Sequence, residues 1–101
     1  MRALHHPSRK NMTLSGVLHA LSDPIRMGIV KSLAISGGQA CGTFNLSISK
    51  STVSHHFRVL REAGVIKMTP VGTKYLNSLR KEDLDSRFPG LLDAILEASE
   101  S

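Results

Sequence analysis

Ser49-Lys50-Ser51-Thr52-Val53-Ser54-His55-His56-Phe57-Arg58-Val59-Leu60-Arg61-Glu62-Ala63-Gly64-Val65-Ile66 decides the fold. Ser49 is a side chain that caps a helix, and the apolar residues Val53, Phe57 and Leu60 recur at helical spacing, so they form an inward stripe. Gly64 stands where a left-handed residue closes a helix. The opposite face then carries Ser51, Thr52, Ser54, His55 and Arg58. Short hydroxyls allow close approach to another surface, and Arg58 and His55 can donate hydrogen bonds to it. His56 falls between Val53 and Leu60, which predicts a structural histidine near the core.

Two short runs of strand character follow, Val65–Thr69 and Lys74–Ser78, with Pro70-Val71-Gly72-Thr73 as the turn of a β-hairpin. Upstream, Leu14, Val17, Leu18 and Leu21 mark a first helix from Thr13. Ser22-Asp23-Pro24 then restarts the chain, because Asp23 can cap exposed N–H groups and proline at the first helical position sacrifices no donor. Ile25, Ile29 and Leu33, with Val30 and Ala34 beside them, carry this second helix to Ser36-Gly37-Gly38. Residues 39–48 are expected to form a short or irregular third helix. In the tail, Leu84, Phe88, Leu91, Leu92, Ile95 and Leu96 are apolar, and Pro89-Gly90 places the main final helix at about 89–98. Residues 1–12, polar, basic and broken by Pro7, read as a flexible arm before one domain at 13–101. The class is mainly α with a small β-hairpin, and the order of elements is that of a winged helix-turn-helix.

The chain has 101 residues, enough for one domain and a modest core. Its net charge of +5 favours a polyanionic partner. The charge is unevenly placed. Residues 48–80 hold six Lys/Arg against Glu62 alone, whereas residues 81–101 hold two against six acids. Charge serving only solubility mixes its signs more evenly. A single cysteine, Cys41, excludes a disulfide within the chain and fits a reducing, cytoplasmic setting. No run approaches the roughly 20 apolar residues of a membrane span, so no membrane partner is expected.

Leu21-Ser22-Asp23-Pro24-Ile25-Arg26 and the stretch from Ser51 to Ile66 together resemble the ArsR/SmtB family of bacterial winged helix-turn-helix repressors. The likeness covers roughly residues 13–80. It implies a homodimer that binds double-stranded DNA at an inverted-repeat operator and is released by an effector, which the sequence leaves unidentified. Within that frame Ser51, Thr52, Ser54, His55 and Arg58 are the candidates for reading DNA, with Lys50 and Arg61 on phosphates. Lys67, Thr73 and Lys74 on the hairpin would lay a wing along the backbone or minor groove. Leu14, Val17, Leu18 and Leu21, with Leu91, Leu92, Ile95 and Leu96, are the expected dimer interface.

Known members of the family sense metals through closely spaced cysteines or through Asp/His sets on the last helix. Here the first region offers only Cys41, and residues 82–101 contain no histidine or cysteine. His5 and His6 lie on the arm, His55 and His56 point to different faces, and His19 has no evident partner. No metal and no cofactor are expected, and Cys41 is read as packing rather than a redox switch. An enzyme is disfavoured, because no nucleophile–base pair or nucleotide loop stands out. The remaining alternative, a winged-helix protein-interaction module without a direct DNA role, sits poorly with the basic stretch 48–80.

Overall fold

The computed structural model describes residues 3–37, 39–40 (backbone alone) and 49–99. Helix α1 (Leu14–Ala20) starts at Thr13, whose hydroxyl accepts from Gly16 N. Helix α2 (Pro24–Ser36) starts at Asp23, whose carboxylate accepts from the N–H groups of Ile25 at 2.8 Å and Arg26 at 3.0 Å. Those backbone bonds, Arg26 N–H first, hold the Asp23 carboxyl below its usual range. Gly37, at φ 83°, ends α2 in the left-handed conformation.

Helix α3 (Lys50–Glu62) is capped by Ser49, which accepts from Thr52 N. Its far end closes as a Schellman motif, with Val65 N–H donating to Leu60 O and Gly64 N–H to Arg61 O, both at 3.0 Å. Gly64 is required there twice over. Its φ is 86°, and a Cβ would lie 2.6 Å from Met12 Cγ.

Strands β2 (Ile66–Val71) and β3 (Lys74–Leu79) form the hairpin, in register from Ile66↔Leu79 to Val71↔Lys74. β2 runs on through Pro70 and Val71, two residues into the expected turn, while β3 begins at Lys74 as expected, so only Gly72 and Thr73 connect the two. Gly72, at φ 62°, occupies the first central position, as a II′ turn requires. The expected third helix over 39–48 is corrected at its start. Gln39–Ala40 is a strand, β1, pairing antiparallel with β3 (Gln39↔Asn77, Ala40↔Leu76) and giving sheet order β1-β3-β2. The free edge of β3 offers backbone partners that a local reading cannot see. Residues 41–48, including Cys41, lie outside the described residues.

The tail forms two helices, α4 (Lys81–Arg87) and α5 (Leu91–Ser99), separated by Phe88-Pro89-Gly90. Pro89 lacks an N–H, and Gly90 takes φ 80°, so the final helix starts at Leu91 rather than at 89. The core gathers Val17, Ala20, Leu21, Ile29, Val30, Leu33, Phe57, Leu60, Val65, Ile66, Met68, Leu84 and Leu92.

The stretch read as a flexible arm is docked from Leu4 onward. Met12 is 1% exposed within the core, and its carbonyl accepts from Arg87. Arg80 donates to Pro7 O at 2.8 Å, and Arg9, in a 3-10 turn over Arg9–Asn11, pairs with Asp83 at 2.7 Å. The apolar Met12 and Leu4 supply contacts that the polar composition around them conceals.

Candidate nucleic-acid interface

The two faces of α3 are sharply different. Phe57 and Leu60 are buried and Val53 is half-buried, while Lys50, Ser51, Thr52, Ser54, His55 and Arg58 are all exposed. Ser51, Ser54, His55 and Arg58 follow i, i+3, i+4, i+7 spacing and so form one outward stripe. Near its start, Ser49 Oγ lies 3.2 Å from Ser51 Oγ and 2.9 Å from Thr52 Oγ1, so the hydroxyls are held together. Arg58 Nη2 lies 3.4 Å from His55 Nδ1 on the same face, and both side chains are open to an incoming acceptor.

A groove of about 490 Å³ runs between this helix and the hairpin, lined by Ser51, Ser54, His55, Arg58 and Arg61 from α3 and by Met68 and Tyr75 from the strands. Arg61 is folded into it, its side chain 15% exposed, and pairs loosely with Glu62 at 3.9 Å. Thr73 and Lys74 are exposed at the hairpin tip beside Val71. Lys67 is exposed too but faces elsewhere. It borders Ser78, Arg80, Glu82 and Asp83, because its side chain alternates with Met68 to the other side of β2. The structure therefore brings Ser51, Ser54, His55, Arg58 and Arg61 together along one groove, leaves Lys50 and Thr52 exposed at the start of α3, places Thr73 and Lys74 at the hairpin tip, and separates Lys67 from them.

Beneath that surface His56 is 7% exposed, as a structural histidine should be. Its Nδ1 lies 3.1 Å from Arg26 Nη1, and because arginine only donates, Nδ1 is the acceptor. Arg26 is itself 7% exposed and also donates through Nε to Ala20 O at 2.7 Å and through Nη2 to His19 O at 3.3 Å. One guanidinium thus satisfies the last carbonyls of α1 and fixes α3 through His56. Sequence reasoning missed this residue. Tyr75 was missed as well, though it shares the inward face of β3 with Asn77 at period two.

The apolar set expected at a dimer interface divides. Val17, Leu21 and Leu92 are buried inside the protomer, which corrects their assignment to a surface: their helical stripe is covered by the chain's own core. Leu14 and Leu18 are 48% and 45% exposed, and Leu91, Ile95 and Leu96 are half-buried. Among the described residues no group of three or more His, Cys, Asp or Glu is placed to hold a metal ion, and no helix is long and apolar enough to cross a membrane.

This geometry has close counterparts. The family model for bacterial regulatory proteins of the arsR family matches residues 23–68, from the cap of α2 into β2. The chain is 37% identical over 83 residues to the HTH-type transcriptional regulator YceK of Bacillus subtilis, covering 78% of this chain and 82% of that one. It is 36% identical over 59 residues to an HTH-type transcriptional regulator of Methanocaldococcus jannaschii, covering 56% of this chain and 66% of the other. Among solved structures, an ArsR-like transcriptional regulator from Rhodococcus sp. RHA1 superposes with TM-score 0.66 at 22% identity, over 86% of this chain and 83% of that one. The transcriptional repressor BigR from Xylella fastidiosa gives TM-score 0.59 at 24% identity, over 74% and 85% of the two chains. These last likenesses establish the winged helix-turn-helix fold. With the matched motif, the sequence relatives and the exposed polar face of α3, the chain belongs to the ArsR family of DNA-binding transcriptional regulators.

Proposed function

We propose that this regulator is a repressor that grips an inverted-repeat operator as a homodimer, with α3 in the major groove. The observation that carries the reading is the exposed stripe Ser51, Ser54, His55 and Arg58, opposite a buried Phe57 and Leu60. A helix fits the major groove, and its N-terminal residues reach base edges. Arg58 is the side chain suited to a guanine, and the neighbouring hydroxyls to any base. Lys50 and Thr52 at the helix start and Arg61 near its end serve phosphates, which set register without reading sequence. Thr73 and Lys74 place the wing tip against the backbone.

Exposed Leu14 and Leu18 on α1, with half-buried Leu91 and Ile95 on α5, supply the face for a second copy. A twofold pair of α3 helices then reads half-sites about 10 base pairs apart or a multiple of that. Binding to chromosomal DNA places the protein in the cytoplasm. Capture and sequencing of DNA bound to the protein in cells tests the reading. It is expected to yield a shared inverted repeat upstream of a small set of genes. Recovery of DNA without any shared symmetric site contradicts it.

A further inference from the structure

His6 stands at the join between the docked N-terminal segment and the wing. Its Nε2 lies 3.0 Å from the backbone N of Met68, and its Nδ1 lies 2.9 Å from Leu4 O. Met68 N–H can only donate and Leu4 O can only accept. The ring is therefore the neutral tautomer with its proton on Nδ1, and both nitrogens are committed. A second proton has one place to go, Nε2, where it would meet the Met68 N–H head-on and break the bond. β2 is the edge strand of the sheet, so His6 closes a backbone donor on the outer side of the wing. Met68 itself is 7% exposed and lines the groove under α3 with Phe57 and Tyr75, so its position sets the hairpin against the helix.

We propose that His6 is a proton-released catch, which positions the wing by tying the N-terminal segment to the edge of β2 and lets go in mild acid. The surroundings act in the same sense. Burial is the largest influence holding the ring's pKa below its ordinary value, partly countered by the Leu4 carbonyl. Three cations act on the ring in the same sense: Arg80 after β3, Arg61 from α3 and Lys67 from β2. Asp83, the nearby acid, is taken up by Arg80 and Arg9. Because the docked pKa is lowered, docking is complete above the ordinary histidine pKa of about 6.5 and weakens as pH falls from there toward the docked value. Besides the apolar contacts of Leu4 and Met12, the other side-chain hydrogen bonds tying this segment to the rest of the described residues are made by arginines: Arg80 to Pro7 O, Arg9 to Asp83 and Arg87 to Met12 O. Arginine keeps its charge throughout this range, so His6 alone of these ties gives way.

The test reads amide exchange in the full-length chain at about pH 7.5 and about pH 5, corrected for intrinsic rates. In the parent, Met68 N–H is expected to lose about tenfold of its protection in acid, as protonation of Nε2 opens the bond. His6→Gln supplies an acceptor that does not titrate, so protection there stays constant. His6→Ala leaves Met68 unprotected at both values. The Val65 amide, bonded to Leu60 O within the closing motif of α3, reports that each variant is folded. Loss of protection that is equal in the parent and His6→Gln overturns the proposal, as does full protection of the parent in acid. A consequence for DNA rests on the wing reading above, and it is separable because exchange is measured on the free protein. For sonicated duplex DNA, the parent's affinity should fall about threefold relative to His6→Gln on acidification, as the wing loses its tie. An unchanged ratio overturns the positioning role even with a working catch.

Discussion

The α3–hairpin face and the α1–α5 face solve opposite problems with the same helical geometry. On α3 the outward positions are hydroxyls, His55 and Arg58, and the region 48–80 has six Lys/Arg against one acid. On α1 the outward positions are Leu14 and Leu18, and the tail that packs nearby is acidic, with six acids against two Lys/Arg over 81–101. A polar basic surface retains favourable hydration until it meets phosphate. An exposed leucine pair gains free energy only when another apolar surface removes it from water. On the proposed reading, that difference suits the first face to a polyanion and the second to a second copy of the protein.

The largest expected effect breaks the second face. Leu14→Glu with Leu18→Glu should weaken self-association by about a hundredfold, roughly 3 kcal/mol, since two carboxylates would lose water at the seam. Sedimentation at micromolar concentration reads it, and helical content should persist because both positions are exposed. Unchanged association would move the dimer contact elsewhere. Next in size is Arg58→Ala. If it touches a guanine, affinity for the captured operator should fall by about 1–3 kcal/mol while discrimination among operator variants relaxes. Self-association should stay as it was, which sharpens the separation of the two faces.

Gly64→Ala tests the seam between them, where α3 turns into the hairpin against Met12. Left-handed strain of about 1–2 kcal/mol adds to the Cβ contact with Met12, so a fall in thermal stability of several degrees is expected. Asp23→Ala should cost about 1 kcal/mol by uncapping α2. That stability is present above the ordinary aspartate range and fades as pH falls through the lowered Asp23 pKa, so parent and variant converge in strong acid. Denaturant melts across pH check the convergence. Smallest is Lys74→Ala, expected to weaken all DNA sequences alike by less than about 1 kcal/mol, with a salt dependence reduced by about one charge.

What could be read from the sequence was what local chemistry determines. Asp23-Pro24, Ser49 and Gly64 announce helix boundaries through their own backbone preferences, and the stripe of α3 follows from a period of 3.6. What escaped it depends on partners distant in sequence. β1 exists because β3 offers a free edge, and the N-terminal segment docks because Met12 finds a gap beside a glycine 52 positions later. Arg26 reads as a surface cation until α1's carbonyls and His56 are placed around it. Periodicity also marked Val17, Leu21 and Leu92 as apolar without indicating that the chain itself covers them.

The most direct test of the central claim, that the outward face of α3 and the wing grip DNA, is binding of the captured operator by Arg58→Ala/Lys74→Ala and by the parent across a salt series. The account predicts that the parent binds tightly at low salt and loses affinity steeply as salt rises, while the double variant binds at least tenfold more weakly and with a shallower salt slope. Equal affinity and equal slope for the two proteins would contradict it.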